Sequence, residues 1–132
     1  MPYRFLFILC SVGFAALAAG CQKVNIDKTI TLTAGAVEAA AIIDAPRSQQ
    51  KVKVSITSAD PINVDVVLEA NRAAVTETLL SNKRPAADKV LVSKEKVKTD
   101  ALSATIPAGK EYAVLISGAT KNTEVKLSVK SE

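Results

Sequence analysis

Lys51-Val52-Lys53-Val54-Ser55-Ile56-Thr57-Ser58, followed after Ala59-Asp60-Pro61 by Ile62-Asn63-Val64-Asp65-Val66-Val67-Leu68, is the stretch on which the fold turns. Val52, Val54 and Ile56 alternate with Lys51, Lys53, Ser55 and Thr57. Ile62, Val64, Val66 and Leu68 alternate with Asn63, Asp65, Val67 and Glu69. A period of two puts every second side chain on one face of an extended strand. One apolar face per strand is what an antiparallel sheet needs when its other side meets water. Asp60-Pro61 favours a turn, so the stretch reads as two strands with a junction between them.

The alternation continues outward in both directions. Upstream, Val24, Ile26, Ile30 and Leu32 share one parity, with Lys28 interrupting. Residues 36–43 are ambiguous, because their alanines suit a helix. Residues 39–44 read as a strand, since the run stops at Ala45-Pro46 and is too short for a free-standing helix. Downstream, residues 90–97 alternate imperfectly, Leu102, Ala104 and Ile106 form a shorter set, and Val125, Leu127 and Val129 alternate with Glu124, Lys126, Ser128 and Lys130. In Tyr112, Val114 and Ile116 the intervening Ala113 and Leu115 make the second face apolar too, which marks a central strand. Turn chemistry separates the pieces at Ala34-Gly35, Pro46-Arg47-Ser48, Pro107-Ala108-Gly109-Lys110, Ser117-Gly118 and Lys121-Asn122.

One stretch departs from the pattern. Val75 and Leu79 stand at helical spacing, Asn71 is placed to cap a helix start, and Asn82 and Pro85 are placed to stop it. The spacing predicts a short helix near 72–81. About eight short strands with one helical excursion predict an all-β fold, an antiparallel β-sandwich or jelly roll.

Composition removes whole classes of chemistry. The chain contains no His and no Trp, and its two Cys are Cys10 and Cys21. Zinc sites of Cys and His, and nucleophiles served by an imidazole base, are therefore excluded. The formal charge is +4, and the lysines are spread along strands, as in Lys51-Val52-Lys53-Val54. That spread describes a solvated face and not a nucleic-acid groove, and aromatics for base stacking are lacking. No cofactor is expected.

The N-terminus has its own grammar. Arg4 is followed by an apolar run from Phe5 through Leu9 to Leu17 and by a small-residue exit, Ala18-Ala19-Gly20. This is the arrangement of a secretory signal peptide, and the run is short for a bilayer-spanning helix, which needs about 20 apolar residues. Ala16-Leu17-Ala18 offers an ordinary Ala-x-Ala cleavage site, which would leave Cys21 as a free thiol. Leu17-Ala18-Ala19-Gly20-Cys21 resembles the lipobox of bacterial lipoproteins, with Ala18 where that pattern has a large aliphatic and Leu17 one step earlier.

The lipobox resemblance implies lipidation of the Cys21 thiol with diacylglycerol and cleavage between Gly20 and Cys21. By the sorting rule of that family, Gln22 in place of Asp directs the protein to the outer membrane, facing the periplasm. Of the 132 residues, removal of 20 leaves 112, enough for one domain. The expected organisation is a cleaved signal peptide over 1–20, a lipidated tether with the first strand over 21–34, and a sandwich domain over 35–132. The expected partner is the membrane, reached through the anchor on Cys21, together with an envelope protein or glycan.

A second resemblance concerns the mature chain. The 51–58 and 60–68 segments, the run Ala104-Thr105-Ile106-Pro107-Ala108-Gly109-Lys110-Glu111-Tyr112-Ala113-Val114-Leu115-Ile116, and the closing strand over 123–130 are together similar to the pre-peptidase C-terminal domain. That resemblance implies a small bacterial β-sandwich. Such domains are usually appended to secreted hydrolases, and some bind calcium or polymeric substrates.

Candidate sites are few. Asp44, Asp60 and Asp65 are the oxygen donors best placed by type for calcium, and they equally suit turns and solvated strand positions. Asp88, Glu95 and Asp100 are the carboxylates that could flank a hydrolytic cleft, but each neighbours a lysine and reads better as surface charge balance. Tyr112 reads as a packing residue. Lys94-Glu95-Lys96-Val97-Lys98 reads as an edge strand whose lysines block edge-to-edge pairing. The function expected is therefore non-enzymatic, a lipid-anchored envelope protein that binds or scaffolds. The alternative is a calcium- or glycan-binding accessory module.

Overall fold

Strand β3, Gln50–Leu68, is 19 residues long and sets the plan of the molecule. In the computed structural model, which describes residues 23–132, it is preceded by β1 (Asn25–Leu32) and β2 (Glu38–Ile43). It is followed by helix α1 (Glu69–Leu80), a 3-10 turn (Ala87–Lys89), β4 (Val92–Ile106), β5 (Tyr112–Ser117) and β6 (Thr123–Ser131). All strand pairs are antiparallel. The first part of β3 pairs with β6, and its second part with β5, while β4 follows it along the other edge. β1 lies outside β6, and β2 lies outside β5. The result is two half-sheets, β1-β6-β3-β4 and β2-β5-β3-β4, joined through a shared ribbon.

That ribbon bends where the sequence suggested a break. Between the pairs Thr57↔Thr99 and Ile62↔Val97, β3 spends five steps against two on β4, so extra residues accumulate over 58–61. An insertion of this kind kinks a strand and raises its twist. Pro61 has no amide proton to lose there. Asp60-Pro61 is thus a corner inside one strand and not a turn between two. The same joining unites the predicted 90–97 and 102–106 segments in β4, whose own extra residue falls where Lys96 has φ 54. Eight sequence segments become six strands for this reason.

The corner brings the two apolar faces together. Val52, Val54, Ile56, Val125, Leu127 and Val129 of one half-sheet share a core with Ile62, Val64, Val66, Tyr112, Val114 and Ile116 of the other. Tyr112 is fully buried, as its packing role required, and burial pushes its hydroxyl up to about 12. The outer faces differ. On β2-β5-β3-β4, Val75 and Leu79 of α1 cover Val67, Ala113 and Leu115, so β5 is buried at every position, as a central strand should be. On β1-β6-β3-β4, Lys53, Lys126 and Lys130 face water, with Ser55 and Ser128 half-buried among them.

Helix α1 begins earlier than its spacing suggested. Its N-cap is Leu68, without a side-chain cap bond, and Asn71 lies inside the first turn. Glu69 supplies the local stabilisation, with its carboxylate at the positive end of the helix and 2.8 Å from Arg72. The end is as expected. Asn82, at φ 56, donates to Leu79 O, and Lys83 N donates to Thr78 O, which is the pair of bonds of a Schellman cap.

Edges are guarded. Lys28 points inward from β1 and donates weakly, at 3.5 Å, to Ala40 O, beside an irregularity in β2 between Ala39 and Ala41. On β4, Lys94, Lys96 and Lys98 are exposed along an edge that pairs only with β3. The connections also give the sandwich two distinct ends. The chain enters at the end formed by Asn25, Gln50, Ile106, Tyr112 and Ser131. Leu32, Glu38, Ser58, Ser117 and Thr123 form the far end.

Candidate functional site

The helix-covered face changes character along its length. Strand parity sends Asn63, Asp65 and Val67 of β3 to this face, and Ala113, Leu115 and Ser117 of β5 lie beside them, with Val67↔Ala113, Asp65↔Leu115 and Asn63↔Ser117 in register. Val75 and Leu79 cover the apolar rows near the entry end. The Schellman cap then turns the chain back across the sheet, and Pro85 keeps it from resuming the helix. Arg84 is delivered by that reversal onto the polar rows.

There it builds a closed network. Arg84 Nη2 donates to Asp65 Oδ1 at 2.8 Å and to Ser93 Oγ at 2.7 Å, and Arg84 Nε lies 2.7 Å from Glu95 Oε1. Ser93 Oγ donates in turn to Asp65 Oδ1 at 2.6 Å. Asp65 is 0% exposed, and a carboxylate taken so far out of water needs these bonds. It is therefore not the solvated strand position that its alternation suggested.

Beside the network, at the far end, lies a cleft of about 280 Å³. Val37, Leu79 and Ala119 supply apolar wall, while Asn63, Arg84 and Ser117 supply polar groups. Gly118, at φ +79, allows its loop to pass close over β3, since a Cβ there would stand 2.6 Å from Asn63 Nδ2. Arg84 Nη1 and Ser117 Oγ are buried without a hydrogen-bonding partner among the described residues, as is Asp65 Oδ2 behind them. An unmet buried polar group costs about 1–3 kcal/mol, so three on one patch are a concentrated expense.

The loop that roofs the cleft is held firmly. Asp60, at the corner of β3, accepts from Thr120 N at 3.0 Å and Thr120 Oγ1 at 3.1 Å, and its own amide donates to Thr123 Oγ1 at 3.3 Å. The Thr120 amide holds the Asp60 carboxyl below its ordinary range, with Lys121 adding to the effect. Gly35 N donates to Ala119 O at 3.1 Å, and Ala34 N to Asn122 Oδ1 at 3.0 Å, so the β1–β2 turn is tied to the same loop.

The residues singled out from sequence have scattered. Asp60 braces the far end, Asp65 holds Arg84, and Asp44 is exposed near the entry end. Among the described residues no group of three or more His, Cys, Asp or Glu side chains is placed to hold a metal ion. Glu95 is tied to Arg84, Asp100 to Lys94 at 2.6 Å, and Asp88 stands exposed on the 3-10 turn, so these three do not share a cleft. The Lys94 bond holds the Asp100 carboxyl below its usual range. Gly20, Cys21 and Gln22 lie outside the described residues. Among the described residues no helix is long and apolar enough to cross a membrane.

Sequence reading missed the roles of Asn63, Arg84, Ser93 and Ser117. One signal for the site was present. Ala113 and Leu115 showed that the second face of β5 is covered, and any Asp beside them on that face must then find a cation.

No protein-family model matches this sequence, and no curated protein matches it significantly. Among solved structures, the chain is similar to the pre-peptidase C-terminal domain of the collagenase from Bacillus anthracis, with a TM-score of 0.54 and 11% identity over 80% of this chain and 89% of that one. It is also similar to the Yersinia pseudotuberculosis-derived mitogen, with a TM-score of 0.51 and 6% identity over 84% of this chain and 88% of that one. At such identities the likeness is one of fold. The β-sandwich implied by the pre-peptidase resemblance is the architecture found.

Proposed function

We propose that this chain is a non-enzymatic, lipid-anchored protein of the cell envelope that binds its ligand in the far-end cleft. The observation that carries the reading is the cluster of buried, unpartnered polar atoms around Arg84 and Ser117, at the end of the sandwich opposite the tether. Arg84 and Ser117 line the cleft, so a small shift of their side chains would let a ligand offer an acceptor to Arg84 Nη1 and exchange a hydrogen bond with Ser117 Oγ. Asp65 and Glu95 already neutralise Arg84, so an uncharged acceptor such as a hydroxyl or amide carbonyl suits the site better than an anion. Ser93 oxygen is closed into the network and Ser117 Oγ has no hydrogen-bonded base among the described residues, which supports binding over nucleophilic chemistry.

The address rests on Cys21. Two or more acyl chains anchor a protein stably, at about 0.8 kcal/mol per buried methylene. In this reading cleavage follows Gly20, Cys21 carries the lipid, and Gln22 sends the protein to the outer membrane, with the cleft facing the periplasm. Intact-mass spectrometry of membrane-extracted protein should find acyl mass on a chain beginning at Cys21. An unmodified thiol, or a native chain beginning at Met1, overturns the address.

Of the ligand classes, glycan has the better support, because an acetamido sugar presents an uncharged carbonyl and a cleft of about 280 Å³ accommodates a unit of that size. The calcium reading has no comparable support, since Asp44, Asp60 and Asp65 stand apart. N-acetylated chito-oligosaccharide is the probe. It should raise the melting temperature of the lipoprotein by mass action, and Ser117→Ala should abolish the rise. A melting temperature that the oligosaccharide leaves unchanged removes the glycan assignment.

A further inference from the structure

The entry end of the sandwich carries a surface unlike that of the far end. Lys53 and Lys130 stand directly opposite each other across β3 and β6, in the same cross-strand row as Asn25. Both are exposed, and neither makes an ion pair among the described residues. Like charges directly opposite destabilise a sheet, so folding alone gives no reason for the pair. Lys23 precedes the row and Lys110 projects from the turn before β5 at the same end, both exposed. Lys51 is also here, loosely paired with Glu132 at 3.8 Å.

Apolar surface adjoins these cations. Val24, Ile26 and Ile42 line a groove of about 290 Å³ between the two edge strands β1 and β2, with Lys23 and Asp44 at its rim. Ile42 is 55% exposed, one of two large apolar side chains so open among the described residues. The groove itself carries one cation, Lys23, and one anion, Asp44, and the further lysines stand beyond Asn25 at the same end of the sandwich; exposed cations near an open aliphatic suit a surface that lies on lipid headgroups.

We propose that this end is a docking surface for an anionic lipid leaflet, with Lys53, Lys110 and Lys130 on headgroup phosphates and Ile42 at the acyl boundary. The proposal rests on the lipid anchoring proposed above, which supplies the proximity. Four residues lead from Cys21 to Asn25 and reach at most about 14 Å when extended. The attraction of an anionic surface decays over about 8 Å at physiological ionic strength, so a tether this short keeps the lysines close to its range. Each lysine at the surface contributes about fivefold in partitioning, so the group orients the domain and holds the far-end cleft away from the bilayer.

The test uses the full protein as extracted from membranes, floated on vesicles of phosphatidylcholine alone or mixed with phosphatidylglycerol. Lysines are then modified with an amine-reactive reagent and mapped by mass spectrometry. On the anionic vesicles, modification of Lys53, Lys110 and Lys130 should slow about fivefold while Lys96, Lys98 and Lys121 keep their rates. High salt should erase the difference, and Lys53→Glu with Lys130→Glu should deprotect Lys110. Flotation on both vesicles with no lysine protection overturns the docking surface and leaves the anchor standing. Flotation and protection on anionic vesicles alone supports the surface and overturns the anchor. Flotation on neither overturns both.

Discussion

Asp27 on the edge strand β1 and Asp65 on the inner strand β3 both point away from the shared core, and their surroundings differ. Each sits at an outward position of its strand, Asp27 opposite Ser128 and Asp65 opposite Leu115. Asp27 is exposed on the open face, whereas Asp65 is 0% exposed under α1 and its following loop. The open half-sheet keeps a clean alternation of apolar core and wet exterior. The other half-sheet buries both faces where α1 and its following loop cover it, and there a polar group on the outer side can be met only from within the protein or by a ligand. This difference explains why the network and the cleft arise on one half-sheet, and why the other is left with lysines and hydroxyls that face water.

The sharpest way to break the comparison is to truncate the covered face. Leu115→Ala, beneath Val75 and Leu79, should cost about 3 kcal/mol and lower the melting temperature by roughly 10–20 °C. Ser128→Ala, on the open face, should stay within about 0.5 kcal/mol. Equal costs in urea denaturation would mean that the helix does not seal the face. Next in size is Arg84→Met, which strands Asp65. It should cost about 2 kcal/mol, below the 3–5 kcal/mol of a fully buried pair because Arg84 is 31% exposed. Adding Asp65→Leu should recover most of that loss, and a double variant no better than the single one would show that the pair is not coupled. The smallest effect has the opposite sign. Lys53→Thr relieves its opposition to Lys130 and should stabilise by a few tenths of a kcal/mol, with a loss of protection on anionic vesicles. Any destabilisation by this substitution would mean that the lysine serves the fold.

Much of the architecture was legible because strand alternation is a local signal. The 52–56 and 125–129 positions needed no partner to announce their inner face, and Asn82 announced the helix end through its tolerance of φ > 0. The helix start was misread because Asn71 is a good capping residue by type, while the strand before it simply runs into the helix at Leu68 and supplies no polar cap. Asp60-Pro61 was misread for a related reason. A turn and a strand corner ask the same things of local sequence, and only the pairing of β3 with β4 across the bend tells them apart. The site was least legible. Arg84 and Asp65 are 19 residues apart, and Ser117 is further still, so no spacing links them.

The chain's own pattern determined that it would be built of antiparallel strands with apolar inner faces, because side-chain parity follows from backbone geometry alone. Its composition determined what chemistry it could not perform, since no imidazole is present to perform it. Tertiary structure alone decided which outer face would be dry, how Arg84 would meet Asp65, and that unmet polar atoms would gather in a cleft at the far end. The physical reason is range. Alternation acts between neighbours in sequence, whereas burial of a charge is settled only when distant segments have excluded the water around it.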